Sequence, residues 1–133
     1  MNRSRAVLAL LVSLSASNLF AAPAAASQSE SGLAAIYSTR LNGHRTASGQ
    51  IYNASAMTAA HKTLPFGTTV RVTNVSNHKS VVLRINDRGP VQSGRILDIS
   101  PAAAHKLGMH KRDLQNVELE VLETGTGGTV NHS

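Results

Sequence analysis

The 133-residue sequence contains no cysteine and no tryptophan, and aromatic residues make up only 3% of it. The absence of cysteine excludes disulfides and thiolate zinc sites, so the fold has to be stabilised by its core alone. The shortage of aromatic side chains leaves few platforms for stacking on bases, which argues against nucleic-acid binding. Acidic residues are also scarce, with seven against 13 lysines and arginines. Any reaction that needs a carboxylate therefore has very few candidates in this chain.

The first 26 residues have the pattern of a secretory signal peptide. Arg3 and Arg5 form a positive n-region, residues 6–14 are mainly apolar, and Ala24-Ala25-Ala26 is a small-residue cleavage site. The apolar stretch is too short for a stable membrane anchor. Cleavage after Ala26 would remove two arginines and no acid, which lowers the net charge from +6 to +4. We expect a soluble, monomeric, exported domain, periplasmic or secreted, whose positive charge suits an anionic envelope polymer.

The rest of the chain has the pattern of short strands and one helix. A helix over 101–107 is predicted because Ser100 is a good N-cap, Pro101 occupies the first helical position and Gly108 ends the pattern. Alternating apolar residues and short apolar runs predict strands at 33–38, 68–73, 79–85, 95–99 and 117–122. Short strands with loops about every ten residues indicate an all-β fold, a closed or nearly closed small barrel.

The domain boundaries follow from composition. Residues 27–31 are polar and are expected to form a linker, and the compact domain is expected to cover 32–123. Residues 124–133 are rich in Gly and Thr and are expected to form a flexible tail.

Three carboxylates remain as candidates for chemistry, because the four glutamates fall in the linker or on the outer face and end of the last strand. These three are Asp87, Asp98 and Asp113. Asp87 ends an apolar strand at an Asp-x-Gly-Pro turn, where it either reaches solvent for chemistry or only stabilises the turn. Asp98 precedes the helix start, where a carboxylate is favoured electrostatically, so its role is structural or functional.

Two segments resemble the rare lipoprotein A (RlpA) family of double-psi β-barrels that act on the cell wall. One is Thr58-Ala59-Ala60-His61, followed by Lys-Thr-Leu-Pro-Phe-Gly-Thr, and the other is Arg84-Ile85-Asn86-Asp87-Arg88-Gly89-Pro90. The resemblance extends over about residues 32–123. It implies a six-stranded double-psi β-barrel and an endolytic lytic transglycosylase that cleaves peptidoglycan glycan strands.

The resemblance also implies roles for individual residues. Asp87 matches the aspartate of the family's Asp-Arg-Gly-Pro motif and is expected to act as general acid and base, with His61 as its catalytic partner. In this chemistry the sugar's own 6-hydroxyl displaces the leaving group, so a single carboxyl suffices. We expect substrate contacts from Thr46, Gln50, Tyr52, Arg88 and Asp98. The sequence does not decide whether Arg95 is a solvated surface residue or binds anions of the wall.

One motif departs from the family pattern. The family typically has Glu followed by an aromatic residue and often Asp, whereas this chain has Gln50, Tyr52 and Asn53. Because Gln cannot carry a transferable proton, this change supports an alternative function, a non-catalytic wall-binding module of the expansin type. The six histidines are scattered, so we expect no metal site and no cofactor.

Overall fold

The computed structural model describes residue 13 and residues 28–128, so the predicted cleavage site and almost all of the predicted signal peptide lie outside the described residues. Six strands close into a barrel in the order β1-β5-β2-β4-β3-β6. The expected six-stranded all-β barrel with one short helix is therefore confirmed. The elements are β1 (Ser29–Ile36), a 3-10 turn (Thr39–Leu41), β2 (Thr58–Ala60), β3 (Thr69–Asn74), β4 (Ser80–Asp87), β5 (Arg95–Ile99), α1 (Pro101–Lys106) and β6 (Gln115–Glu123).

The barrel mixes parallel and antiparallel pairs. β1 pairs with β5 and β2 pairs with β4 in parallel, while the other four neighbouring pairs are antiparallel. Antiparallel neighbours can be joined by tight hairpins, but parallel neighbours need long connections. The long loop of residues 37–57 joins β1 to β2, which are not neighbours in the barrel, and its Ala47 amide contacts Asp87 at the end of β4.

The core fills the inside of the barrel and the space beneath the helix. Alternate residues of β3, β4 and β6 point inward, as their periodicity predicts, because one face of each strand is removed from water. Ser100 caps α1 by accepting a hydrogen bond from the Ala103 amide. The buried apolar side chains include Val70, Val72, Val81, Leu83, Ile85, Leu97, Ile99, Ala103, Ala104, Leu107, Val117 and Leu119.

One strand boundary and one whole strand differ from the sequence expectation. β1 begins at Ser29, so residues 29–31, which were expected to be a linker, pair with β6. Their side chains are exposed and polar, so the apolar pattern carries no sign of this pairing. β2 was not predicted because three residues are too few for any periodicity to show. Within the described part of the chain, no helix has the length and apolar composition needed to cross a membrane.

Residues 124–128, the first part of the predicted tail, lie against the turn before β3. The Gly125 amide donates to Thr68 Oγ1 at 3.0 Å, and the Gly127 amide donates to the Phe66 carbonyl at 3.1 Å. A Cβ at Gly125 would overlap the Phe66 carbonyl oxygen and the backbone of Gly67. This close approach of two backbones therefore depends on glycine at position 125.

We predict that Gly125→Ala displaces residues 124–128 from the turn, because the added methyl group has no space. Amide exchange at Gly127 should accelerate at least about tenfold as its bond to Phe66 is lost. The matched control is Gly128→Ala, since a Cβ there meets its first neighbour only at 3.8 Å. Slow Gly127 exchange in Gly125→Ala would contradict the close packing.

Candidate functional site

β2 brings two carboxylates to the same end of the barrel. Ala60 pairs with Asp87 of β4 on one side and with Asp98 of β5 on the other. Since neighbouring strands lie about 4.8 Å apart, the two aspartate Cα atoms are separated by roughly 10 Å. Both side chains line a tight depression that is too narrow to hold a water molecule. Its lining residues are Tyr37, Tyr52, Thr58, Ala59, Ala60, Asn86, Asp87, Asp98 and Ser100.

The Asp87 carboxylate accepts hydrogen bonds from three donors. Its Oδ1 accepts from the Ala47 amide at 3.0 Å and from the Arg88 amide at 2.8 Å. Its Oδ2 accepts from the Tyr37 hydroxyl at 2.6 Å. The side chain is half-buried, so these contacts fix its orientation while leaving it open to a ligand.

The donors make the two carboxylate oxygens chemically different. An amide can only donate, so Oδ1 is occupied by two hydrogen bonds whose direction is fixed. A hydroxyl can either donate or accept, so Tyr37 can turn its proton away and accept one from Oδ2. Oδ2 is therefore the oxygen that can carry a transferable proton without breaking the backbone contacts of Asp87.

Two tyrosines form one wall of the depression. The rings of Tyr37 and Tyr52 lie 4.6 Å apart between centroids and are tilted by 50°, within the range of favourable aromatic pairs. Burial, and then the hydrogen bond to Asp87, raise the pKa of Tyr37, and burial raises the pKa of Tyr52. The Tyr52 hydroxyl is buried and has no hydrogen-bond partner among the described residues.

Asp98 lines the same depression but is already paired. Its Oδ1 lies 2.6 Å from Nη2 of Arg95, three residues earlier on β5, and both side chains are mostly buried. Arg95 therefore binds a carboxylate of the chain itself. Asp98 therefore differs from Asp87, which forms no salt bridge among the described residues.

The Arg88 side chain points away from the neighbouring Asp87 carboxylate. Its Nη1 donates to the carbonyls of His61 and Leu64 at 3.2 and 2.7 Å, and its guanidinium lies 4.0 Å above the Phe66 ring. The carbonyls and the aromatic ring hold the cation by hydrogen bonding and cation–π attraction. Arg88 was predicted to contact substrate, and these contacts instead tie the turn before β3 to the end of β4.

The His61 imidazole is buried and does not line the depression that contains Asp87. Its Nδ1 accepts from the amides of Thr63 and Leu64 at 3.1 and 3.0 Å, and its Nε2 lies 2.8 Å from Oε2 of Glu30. This network assigns a neutral ring that donates through Nε2. His61 and Asp87 meet only through the backbone, where the His61 amide donates to the Asp87 carbonyl at 3.2 Å.

The loop of residues 46–50 reaches Asp87 through its backbone. The Thr46 hydroxyl is bonded to Ser48 and to the Gln50 carbonyl, so it braces the loop that presents the Ala47 amide. Gln50 lies in a neighbouring depression of about 280 Å³. Its Oε1 accepts from Nδ2 of Asn86 at 3.3 Å, and Asn86 lines both depressions.

Sequence reasoning missed two partners in this site. Tyr37 was assigned only to the first strand, and Glu30 was set aside as a linker residue. The hydroxyl of Tyr37 is 50 positions from Asp87 in sequence, and Glu30 is 31 positions from His61. Among residues 28–128, no group of three His, Asp or Glu side chains is arranged to hold a metal ion.

Comparison with protein-family models gives one family. The model described as "Lytic transglycolase" matches residues 29–119. Two curated relatives are 47% identical over 106 residues (Synechocystis, "Probable endolytic peptidoglycan transglycosylase RlpA") and 52% identical over 93 residues (Vibrio cholerae, "Endolytic peptidoglycan transglycosylase RlpA"). The matches cover 80% and 70% of this chain but only 33% and 35% of the relatives, so the chain spans about a third of their length.

Solved structures share the fold at low sequence identity. A Streptomyces papain inhibitor aligns with a TM-score of 0.58 and 22% identity over 72% of this chain and 96% of its own. An expansin from Clavibacter michiganensis aligns with a TM-score of 0.57 and 21% identity over 75% of this chain and 53% of its own. At this identity the likeness establishes the barrel fold alone.

We predict that both tyrosines of the folded chain titrate above the ordinary tyrosine value of 10.0. The chain has two tyrosines, so phenolate absorbance reports on this site alone. The pKa values of both tyrosines are higher in the folded chain than in the unfolded chain. Their contribution to the free energy of unfolding is therefore complete below pH 10 and is lost as the pH rises above 10.

Asp87→Asn tests the second cause of the Tyr37 shift. The amide carries no negative charge, so the pKa of Tyr37 should move towards its ordinary value, while burial keeps it above that value. Tyr52→Phe serves as the control that identifies which titration belongs to Tyr37. A folded native chain in which both phenols ionise near pH 10 would contradict the described burial and hydrogen bond.

Proposed function

This chain belongs to the lytic transglycolase family of RlpA-like double-psi β-barrels, and from that membership and the contacts of Asp87 we propose that it cleaves peptidoglycan glycan strands as a lytic transglycosylase. The observation that carries the proposal is one half-buried carboxylate, held by three donors at the end of the barrel. The names of the relatives state the same activity for longer proteins.

In the proposed reaction Asp87 acts twice. Its protonated Oδ2 gives a proton to the glycosidic oxygen while the bond from that oxygen to the anomeric carbon breaks. The ionised carboxylate then takes the proton of the sugar's 6-hydroxyl as that oxygen bonds to the anomeric carbon. The products are a 1,6-anhydro end and a free hydroxyl on the leaving sugar, and no water is consumed. Asp87 ends the cycle protonated, as it began.

Tyr37 has a supporting role in this proposal. When Asp87 is protonated, the hydroxyl accepts a hydrogen bond from Oδ2, and when Asp87 is ionised, the hydroxyl donates one. Because its pKa is raised, Tyr37 keeps its proton and adds no charge beside the developing cation of the sugar. The Tyr52 hydroxyl is buried in the same depression without a partner among the described residues, so the predicted contact of Tyr52 with a sugar requires the depression to widen when the strand binds.

His61 enters the proposal as a positioning residue. Both ring nitrogens are engaged, by Glu30 and by two backbone amides, so the imidazole has no free atom for a proton relay. The ring fixes the turn whose carbonyls hold Arg88, and Arg88 is thereby kept from pairing with Asp87. In this proposal the indirect role replaces the predicted catalytic role of His61.

The substrate implies a location outside the cytoplasm. The N-terminal pattern supports export with cleavage after Ala26, and a periplasmic or secreted monomer that binds glycan strands remains our expectation. The alternative is an expansin-like module that binds the wall without cleaving it, and Gln50 in place of the family's Glu favours it. Asp98, Thr46 and Gln50 would orient the strand or the catalytic loop in either case.

We predict that Asp87→Asn abolishes cleavage and leaves the barrel folded. The amide has nearly the same shape but cannot donate the catalytic proton, so the rate should fall by about 10²-fold or more. The measurement is mass analysis of 1,6-anhydro products released from purified sacculi by the mature chain. Glu118→Gln, on the exposed face of β6, is the control for loss of one carboxylate. Full activity of Asp87→Asn would exclude Asp87 as the acid and direct attention to Asp98.

We also predict that Gln50→Glu raises the rate of cleavage by about tenfold, equivalent to about 1.4 kcal/mol of transition-state stabilisation. The new carboxylate would lie beside Asn86, next to Asp87, and would stabilise positive charge that develops on the sugar. Arg84 lines the same depression and is available to pair with it. The assay compares native, Gln50→Glu and Gln50→Ala chains at equal concentration.

The outcomes of that comparison separate the two functions. Equal and substantial rates for the native and Gln50→Glu chains would show that this position only orients substrate. If both chains bind sacculi but release no anhydro products, the wall-binding module becomes the better interpretation.

A further inference from the structure

A second and larger recess adjoins the Asp87 depression. It is a groove of about 700 Å³ between the start of the β1–β2 connection and the far side of α1. Tyr37 lines both recesses, so they adjoin at this residue. We call this recess the cationic groove and define it by Arg40, His105, His110, Lys111 and Arg112 around an apolar floor that includes Ile36, Ala104 and Met109.

The charge of the cationic groove has one sign. Among the described residues that line it, none is acidic, while Arg40, Lys111 and Arg112 are cationic and exposed. No salt bridge within residues 28–128 includes any of these three side chains. The carboxylate of nearby Asp113 is instead engaged by the His110 amide at 3.0 Å. The groove is therefore lined by three cationic side chains that form no salt bridge among the described residues.

The chemistry of a wall strand matches this groove. Each muramic sugar carries a lactyl ether that ends in a carboxylate or continues into a peptide that ends in one. Such a strand presents carboxylates at regular intervals beside apolar methyl groups. Arginine guanidinium groups bind carboxylates through paired hydrogen bonds, and the apolar floor suits the methyl groups.

We propose that the cationic groove binds carboxylates of the same glycan strand whose scissile bond lies at Asp87. This inference rests on the proposed function, because it takes the strand to run past Tyr37 from one recess to the other. The groove would set the position of the strand by electrostatic attraction, while Asp87 performs the bond cleavage.

Binding is measured with soluble peptidoglycan glycan fragments and with the same fragments after their carboxylates have been converted to neutral amides. The full mature chain with Asp87→Asn is used, so that no fragment is consumed. Arg40→Gln combined with Lys111→Gln removes two charges from the groove. The matched control is Lys62→Gln combined with Lys79→Gln, which removes two exposed charges elsewhere.

We expect the groove variant to lose about three- to tenfold in affinity for the carboxylated fragments, as two exposed charge contacts are lost. Its affinity for the amidated fragments, and the affinity of the control for both, should be unchanged. Affinity for the carboxylated fragments should also fall as salt is added, because exposed charges are screened. Competition by a free stem peptide would assign the carboxylates to the peptides, and no competition would assign them to the sugars.

Two results would overturn the groove proposal. One is equal binding of carboxylated and amidated fragments, and the other is an equal loss in the groove and control variants, which would indicate net charge alone. Failure of the proposed function gives a different result. A native chain that binds carboxylated fragments through the groove but releases no anhydro products would exclude cleavage while supporting the groove.

Discussion

The fold depends on the closure of the barrel by a strand of three residues. Thr58–Ala60 pairs with β4 on one side and with β5 on the other. Without it the sheet would have two open edges, each with a row of unpaired backbone groups. The same pairing places Ala60 between Asp87 and Asp98, so the contact that completes the barrel also assembles the depression.

The site is built by separating charges that lie next to each other in sequence. Asp87 is held by two amides and a phenol, while Arg88 is held by two carbonyls and an aromatic ring. Direct pairing of the two would stabilise the ionised carboxylate and oppose its use as an acid. The buried His61 contacts the exposed Glu30, and in our proposal this pair shapes the turn whose carbonyls hold Arg88 away from Asp87.

The proposed reaction needs only one acid and base, which agrees with the shortage of acidic residues. Three exposed cationic side chains line the cationic groove beside the site, whereas Asp98, the second carboxylate of the depression, is paired with Arg95. The Gln50 side chain contacts Asn86 at the edge of the depression, where it is placed to influence the strand without carrying a proton. We propose that one carboxylate, Asp87, performs the chemistry and that the cations of the groove bind the strand.

The residue pattern alone predicted the barrel class and the helix after Ser100, because alternation and helix caps are local, and it singled out Asp87 as a candidate without deciding between turn stabilisation and chemistry. The resemblance to RlpA implied the double-psi topology, glycan strands as the substrate and the catalytic role that we propose for Asp87. Only the tertiary structure showed β2, the Tyr37 bond to Asp87, the Glu30 contact to His61 and the direction of Arg88. These features join residues from 24 to 50 positions apart or lack any periodic pattern, and such contacts exist only after the chain has closed into a barrel.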